Sequence, residues 1–225
     1  MELFEGFLES QERRDQCLSN VIGYEIGKCY EHRQGRMDFE AICNRIGIDC
    51  TGIDDLGKFV DGCLNYYRGH CGNKVHFSIS TSQLHRFYQR SRTEEECALL
   101  MAYLALKSIA GIKAYCKTNK YLWLARMDCK QKAIQSLDEL SEQVRRYSTT
   151  YQQRRLRHLL EEYYNALFWS RSLKGGKGGL KGFYFTLVLS PKEFMSALLE
   201  NNSGHKRCPR AIEFESIMQN AIRVI

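Results

Sequence analysis

The sequence contains very little proline, only Pro191 and Pro209 among 225 residues. Proline interrupts helices, and the chain also has long stretches rich in Leu, Ala, Glu, Gln and Arg, which favour helix formation. Hydrophobic residues make up 44% of the chain and charged residues 26%, a composition that supports a buried core and excludes a disordered chain. We therefore expect a mainly α protein, folded as one large domain or two small ones.

Long apolar runs are also lacking. The longest uncharged apolar run, residues 97–106, is far shorter than the roughly 20 residues that cross a bilayer. Residues 1–5 do not show the basic and apolar regions of a signal peptide. These absences predict a soluble, cytoplasmic protein with no membrane partner.

The ten cysteines include no C-x-x-C pair. The spacing of Cys63, His70, Cys71 and His76 matches no paired-ligand zinc pattern. We expect reduced thiols that act as small buried apolar groups, and neither a metal nor another cofactor. With ten Cys and six His, some Cys–His proximity arises by chance, so no catalytic dyad is indicated.

The positive charge is concentrated in one part of the chain. The whole protein has a net charge of +7, but residues 113–185 alone carry 15 basic and 6 acidic side chains, an excess of +9. A focused basic segment implies a polyanionic partner.

A glycine- and lysine-rich tract lies inside this basic segment. Residues 174–182 consist of three lysines, five glycines and one leucine, and both 167–173 and 183–189 are rich in strand-forming residues. The pattern predicts a two-stranded β-hairpin with a cationic tip that suits a phosphate backbone. It does not match a phosphate-binding P-loop, because the G-x-x-x-x-G-K-[ST] spacing is missing and the segment that follows is strand-like.

The helical pattern divides the chain into 1–92 and 93–225. The first part predicts a short strand over 75–79 and helices over about 2–19, 21–33, 37–46, 54–67 and 81–90. No motif in it indicates a function, and its near-neutral charge suits the formation of a homodimer or the binding of an effector.

Capping signals organise the second part. Thr93 and Glu96 form a capping box that begins a helix ending near Gly111, and Ser190, Pro191 and Glu193 favour another helix start. Between and after these points we predict helices over 119–127, 131–147, 150–166, 190–199 and from 211 onward.

Several helices followed by a basic two-stranded hairpin are the order found in winged helix-turn-helix DNA-binding domains, and residues 93–190 resemble that family in architecture. The resemblance implies that the helix over 150–166 lies in the major groove and that the hairpin over 167–189 is the wing. The predicted helix over 131–147 departs from the compact family pattern, and leaves open whether it or 119–127 positions the recognition helix.

The side chains expected to contact DNA form two groups. Gln and Arg can make bidentate contacts with base edges, so the start of the recognition helix supplies the first group: Gln152, Gln153, Arg154, Arg155, Arg157 and His158. The wing supplies phosphate contacts from Arg171, Lys174, Lys177 and Lys181.

Other interpretations stay open. Arg157 and His158 can pair with Glu161 and Glu162 at i+4 as an ordinary solvated face, and the hairpin lysines can serve solubility alone. We favour a non-enzymatic protein that binds double-stranded DNA, as a regulator or as a mobile-element or replication-associated factor. One alternative is a protein-interaction module for an acidic partner. Another is a nucleic-acid-processing enzyme or initiator whose activity lies in the N-terminal region.

Overall fold

The computed structural model describes residues 2–33, 39–46, 51–72, 79–80, 83–84, 87, 92–170 and 182–203. Over these residues the chain is mainly helical with a small antiparallel sheet, which confirms the prediction of a mainly α protein. The predicted wing residues Arg171, Lys174, Lys177 and Lys181 lie outside the described residues. The helix predicted from 211 also lies outside the described residues. The same is true of almost all of the strand predicted over 75–79 and of most of the helix predicted over 81–90.

The N-terminal region begins with a 3-10 turn (Glu2–Phe4), followed by helices α1 (Gln11–Arg33), α2 (Phe39–Ile46) and α3 (Leu56–His70). The prediction of separate helices over 2–19 and 21–33 is wrong, because α1 continues through residue 20. The helix starts late because Gly6 adopts a positive φ of 78° and the Ser10 hydroxyl then accepts a hydrogen bond from the Arg13 amide, as an N-cap does.

The second part contains α4 (Glu94–Ala110), β1 (Tyr115–Thr118), α5 (Lys120–Met127), α6 (Glu142–Arg145), α7 (Thr150–Tyr164), β2 (Leu167–Trp169), β3 (Phe183–Thr186) and α8 (Pro191–Ser203). The three strands lie in the order β1-β3-β2, and both pairs are antiparallel. The hairpin of β2 and β3 was predicted, whereas β1 was not.

The long helix predicted over 131–147 is wrong. The segment holds two 3-10 turns (Leu137–Glu139 and Arg146–Ser148) on either side of the short α6. Ser136 and Ser141 each cap a new short element with their hydroxyls, which interrupts a continuous helix.

Helix α4 is the centre of the protein. Its residues 97–106 are buried except for Tyr103, so apolar contacts surround its axis as the sequence predicts. Its first turn forms the predicted capping box, in which the Thr93 hydroxyl and the Glu96 carboxylate each accept the other residue's backbone N–H. Trp123 of α5 is fully buried against α4 and its Nε1 donates to the Ala102 carbonyl at 3.1 Å.

The largest buried cluster extends across position 92. Phe4, Phe7 and Leu18 from the start of the chain belong to the same cluster as the α4 side chains. A smaller cluster, made by Ile26, Ile42, Cys43 and Cys63, holds α1, α2 and α3 together. Among the described helices, none combines the length and the hydropathy that a bilayer span requires.

Candidate nucleic-acid interface

Helix α7 has one buried face and one exposed face. Leu156 and Leu160 pack into the core, and the helix is capped at its start by the Thr149 hydroxyl, which accepts the Gln152 amide at 3.3 Å. It ends at Asn165, whose φ of 53° lies in the left-handed region typical of helix C-termini. The predicted span of 150–166 is therefore confirmed to within two residues at its C-terminal end.

The exposed face carries a short stripe that runs from the first turn of the helix to its middle. Tyr151 is 69% exposed, and Arg154 and His158 follow it at the i+3 and i+7 positions on the same side. Glu161 and Glu162, the acidic residues of α7, lie in the C-terminal half. We call Tyr151, Arg154 and His158 the α7 stripe. Tyr151 was not among the contact residues predicted from the sequence. Its i, i+3 spacing from Arg154 could have shown that the two side chains share a helix face.

Gln153, which the sequence predicts as a base contact, lies in the core. Only 5% of it is exposed, and its Nε2 donates to the Ser148 carbonyl at 3.0 Å. The reason is helical spacing, because position 153 shares a face with Leu156 and Leu160. In this conformation Gln153 ties α7 to the preceding turn and is turned away from the exposed face.

Arg155 is bound by the first turn of α4. Its Nε lies 2.6 Å from Oε1 of Glu95, and its Nη2 donates to Oε2 at 2.9 Å. Arg146 makes a similar contact with Glu94 at 3.3 Å. The acidic first turn of α4 therefore neutralises two cations of the basic segment.

Arg157 is half-buried between α7 and the sheet. Its guanidinium lies 5.1 Å from the ring centroid of Phe183, and its Nε donates to the Gln153 carbonyl at 3.4 Å. Burial lowers the pKa of this guanidinium and the nearby Glu161 carboxylate raises it, and an arginine stays charged in either case. Arg157 is thus placed to hold the start of β3 against the helix.

The outer face of the sheet carries a second group that sequence reasoning missed. Lys117, Tyr184 and Trp169 are register partners across β1, β3 and β2. Successive strand residues point to opposite faces, so the sequence could have shown that Tyr184 lies on the face opposite to Phe183 and Phe185.

The described residues hold no group of three or more His, Cys, Asp and Glu side chains that is placed to bind a metal ion. A cavity of about 370 Å³ separates the N-terminal turn from the end of α5, and Asp128 lies on its wall. The Asp128 carboxylate already accepts hydrogen bonds from Ser141 and Lys130. Its hydrogen-bonding capacity is therefore largely used within the protein.

Comparison with models of protein families, with curated protein sequences and with solved structures found no match.

Proposed function

We propose that the chain binds double-stranded DNA through the exposed side of α7 and the basic tract that follows β2. The observation that carries this proposal is the α7 stripe: an aromatic, a guanidinium and an imidazole lie on one exposed face, from the N-terminal turn to the middle of the helix. Recognition helices contact base edges and phosphates with their N-terminal residues.

The order of elements supports the winged helix-turn-helix resemblance. Helices α4, α5 and α7 are followed directly by the hairpin of β2 and β3. The long helix over 131–147, which would have departed from the family, is replaced by short turns. This favours α5 as the helix that precedes the recognition helix.

The electrostatics of α7 also support an anionic ligand. The N-terminal amides of a helix carry partial positive charge, and α7 has no acidic residue in its first turn to offset it. Arg154 adds a full charge on the same side. A phosphate at this position would relieve the repulsion between the arginine and the helix dipole.

Tyr151 and the predicted contact residues have three roles in this proposal, from which the buried Gln153 is excluded. Tyr151, Gln152, Arg154 and His158 contact DNA. Arg155 and Arg157 position α7 against α4 and β3. Arg171, Lys174, Lys177 and Lys181 supply phosphate contacts from the tract after β2, as the sequence indicates.

The test is a salt titration of binding to a mixed-sequence duplex, followed by fluorescence anisotropy. We expect affinity to fall steeply between about 0.05 and 0.2 M salt, with a log–log slope of roughly 0.9 for each phosphate contact. A polyglutamate peptide is the competitor that represents an acidic protein partner. No binding at low salt, or equally tight binding of polyglutamate, would overturn the proposal.

A further inference from the structure

A row of three side chains crosses the outer face of the sheet. Lys117 of β1 and Trp169 of β2 are both register partners of Tyr184 on the central strand β3, so all three side chains share one face. Trp169 is the last residue of β2, and Arg171, the first of the predicted wing cations, follows two residues later in the sequence. The row therefore lies at the end of the sheet where β2 ends and β3 begins.

The two faces of the sheet differ in burial. Phe183 and Phe185 of β3 are buried on the core side, where Phe183 packs against Trp123 with ring centroids 5.7 Å apart. On the outer side Lys117 is exposed, and Tyr184 and Trp169 keep part of their surface in solvent.

Among the described residues, helix α8 contacts the far end of the outer face, at Tyr115. Tyr115 packs against Phe194 of that helix at 6.2 Å between ring centroids, and its hydroxyl donates to the Ala197 carbonyl. Tyr184, the next aromatic along the face, lies 6.5 Å from Tyr115. The row at the other end thus stays accessible beside a helix that anchors the sheet.

The row combines aromatic surface with a cation. The rings of Trp169 and Tyr184 are 5.8 Å apart and tilted by 54°, and the Lys117 ammonium lies 5.6 Å from the Tyr184 ring centroid. Aromatic side chains beside a cationic group are the means by which proteins bind unpaired nucleotides, because every base has a stacking face and every nucleotide a phosphate.

We propose that this row binds unpaired nucleotides that adjoin the duplex, with a base stacked on the ring of Trp169 or of Tyr184 and a phosphate beside Lys117. This inference rests on the proposed DNA binding by α7. Charge complementarity favours a nucleic acid over an uncharged partner, because the row lies within the basic segment, whose excess is +9. The ligand class is thus a duplex with a single-stranded extension.

Three labelled DNAs test the proposal on the full chain: a blunt duplex, the same duplex with a short oligo(dT) tail, and oligo(dT) alone. We expect the tail to tighten binding and oligo(dT) to quench the fluorescence of Trp169. Trp169→Leu and Lys117→Ala should remove the gain from the tail while leaving the blunt duplex unaffected. Loss of one stacked base should weaken binding of the tailed DNA roughly 5- to 100-fold.

Tyr184→Phe is the matched control, since it keeps the ring and should retain the gain, whereas Tyr184→Leu should lose it. Circular dichroism and blunt-duplex binding verify that each variant is folded. If the blunt duplex binds but the tail adds nothing and oligo(dT) leaves tryptophan fluorescence unchanged, the row has no such role and the α7 proposal stands. If oligo(dT) binds and quenches while the blunt duplex does not bind, the α7 proposal fails, and with it the placement of these nucleotides beside a duplex, while stacking on the row is retained.

Discussion

Arg155 and Glu95 join α7 to α4 through two contacts, Nε to Oε1 at 2.6 Å and Nη2 to Oε2 at 2.9 Å. Arg154, the preceding residue, lies on the exposed face of the same helix. Two adjacent arginines, both predicted from the sequence to contact DNA, thus have different surroundings. One is restrained by a carboxylate, and the other is available to a ligand.

Glu95→Gln releases Arg155 from this pair. Because one negative charge is removed and one guanidinium is freed beside the α7 stripe, we expect tighter DNA binding and a salt slope larger by up to about one. The unfolding free energy should fall by only about 0.2–1 kcal/mol, since both side chains are half-exposed. Anisotropy and urea denaturation measure the two effects.

Glu9→Gln is the matched control, because Glu9 also pairs with an exposed arginine, Arg13, but in the N-terminal segment. Equal effects of the two substitutions on DNA affinity would show that only net charge matters, and that the contact with Arg155 has no particular role.

Gln153→Met tests the placement of Gln153 in the core. The substitution keeps the shape of the side chain and removes its hydrogen bond to the Ser148 carbonyl. We expect DNA affinity to change by less than about twofold and stability to fall by about 1 kcal/mol. A large loss of DNA affinity in a protein of unchanged stability would show that Gln153 contacts DNA.

Gly27→Ala tests the packing of α1 against α3. A Cβ at position 27 would lie 2.2 Å from the Cys63 carbonyl oxygen, so the two helices must separate. We expect a loss of about 1–3 kcal/mol in urea denaturation, as for other overpacked sites. Gly62→Ala on α3 is the control, because its Cβ would meet no atom within 4 Å. There the better helix propensity of alanine should stabilise the protein by up to about 1 kcal/mol. Equal changes in unfolding free energy for the two variants would contradict the close packing of Gly27 against the Cys63 carbonyl.

The capping box at the start of α4 predicts a pH-dependent contribution to stability. The Thr93 backbone N–H and the Arg92 guanidinium donate to the Glu96 carboxylate and lower its pKa. Its stabilisation is therefore present above the unfolded pKa of about 4.3 and is lost as the pH falls through the lower, folded pKa.

Glu96→Gln should accordingly cost about 0.3–1.5 kcal/mol at about pH 6 and less at about pH 3. Urea denaturation of both proteins at the two pH values measures the difference. A difference that stays constant with pH would show that the carboxylate charge does not contribute.

The sequence predicts local features well and long-range ones poorly. The capping box at Thr93 and the span of α7 follow from neighbouring residues, and both are seen. Strand β1 was missed because it has four residues and forms only by pairing with β3, which lies far along the chain. The helix over 131–147 was overpredicted because apolar spacing alone does not show that Ser136 and Ser141 cap separate short turns.

The same distinction applies to the candidate interface. Helical spacing could have indicated that Gln153 is buried, since it shares a face with Leu156 and Leu160. It could not indicate that Arg155 binds Glu95 or that Arg157 packs on Phe183, because those partners belong to elements remote in sequence. Which cations of the basic segment stay accessible is therefore decided by the tertiary structure.

The central claim, that the exposed side of α7 contacts DNA phosphates and bases, is tested most directly by comparing the salt slopes of Arg154→Ala and Lys58→Ala. Both variants lose one exposed cation, but Lys58 lies on α3 in the near-neutral N-terminal region. We expect Arg154→Ala to weaken duplex binding about 5- to 100-fold and to lower the slope by about one, and Lys58→Ala to leave both unchanged. Equal slopes and affinities for the two variants would contradict the claim.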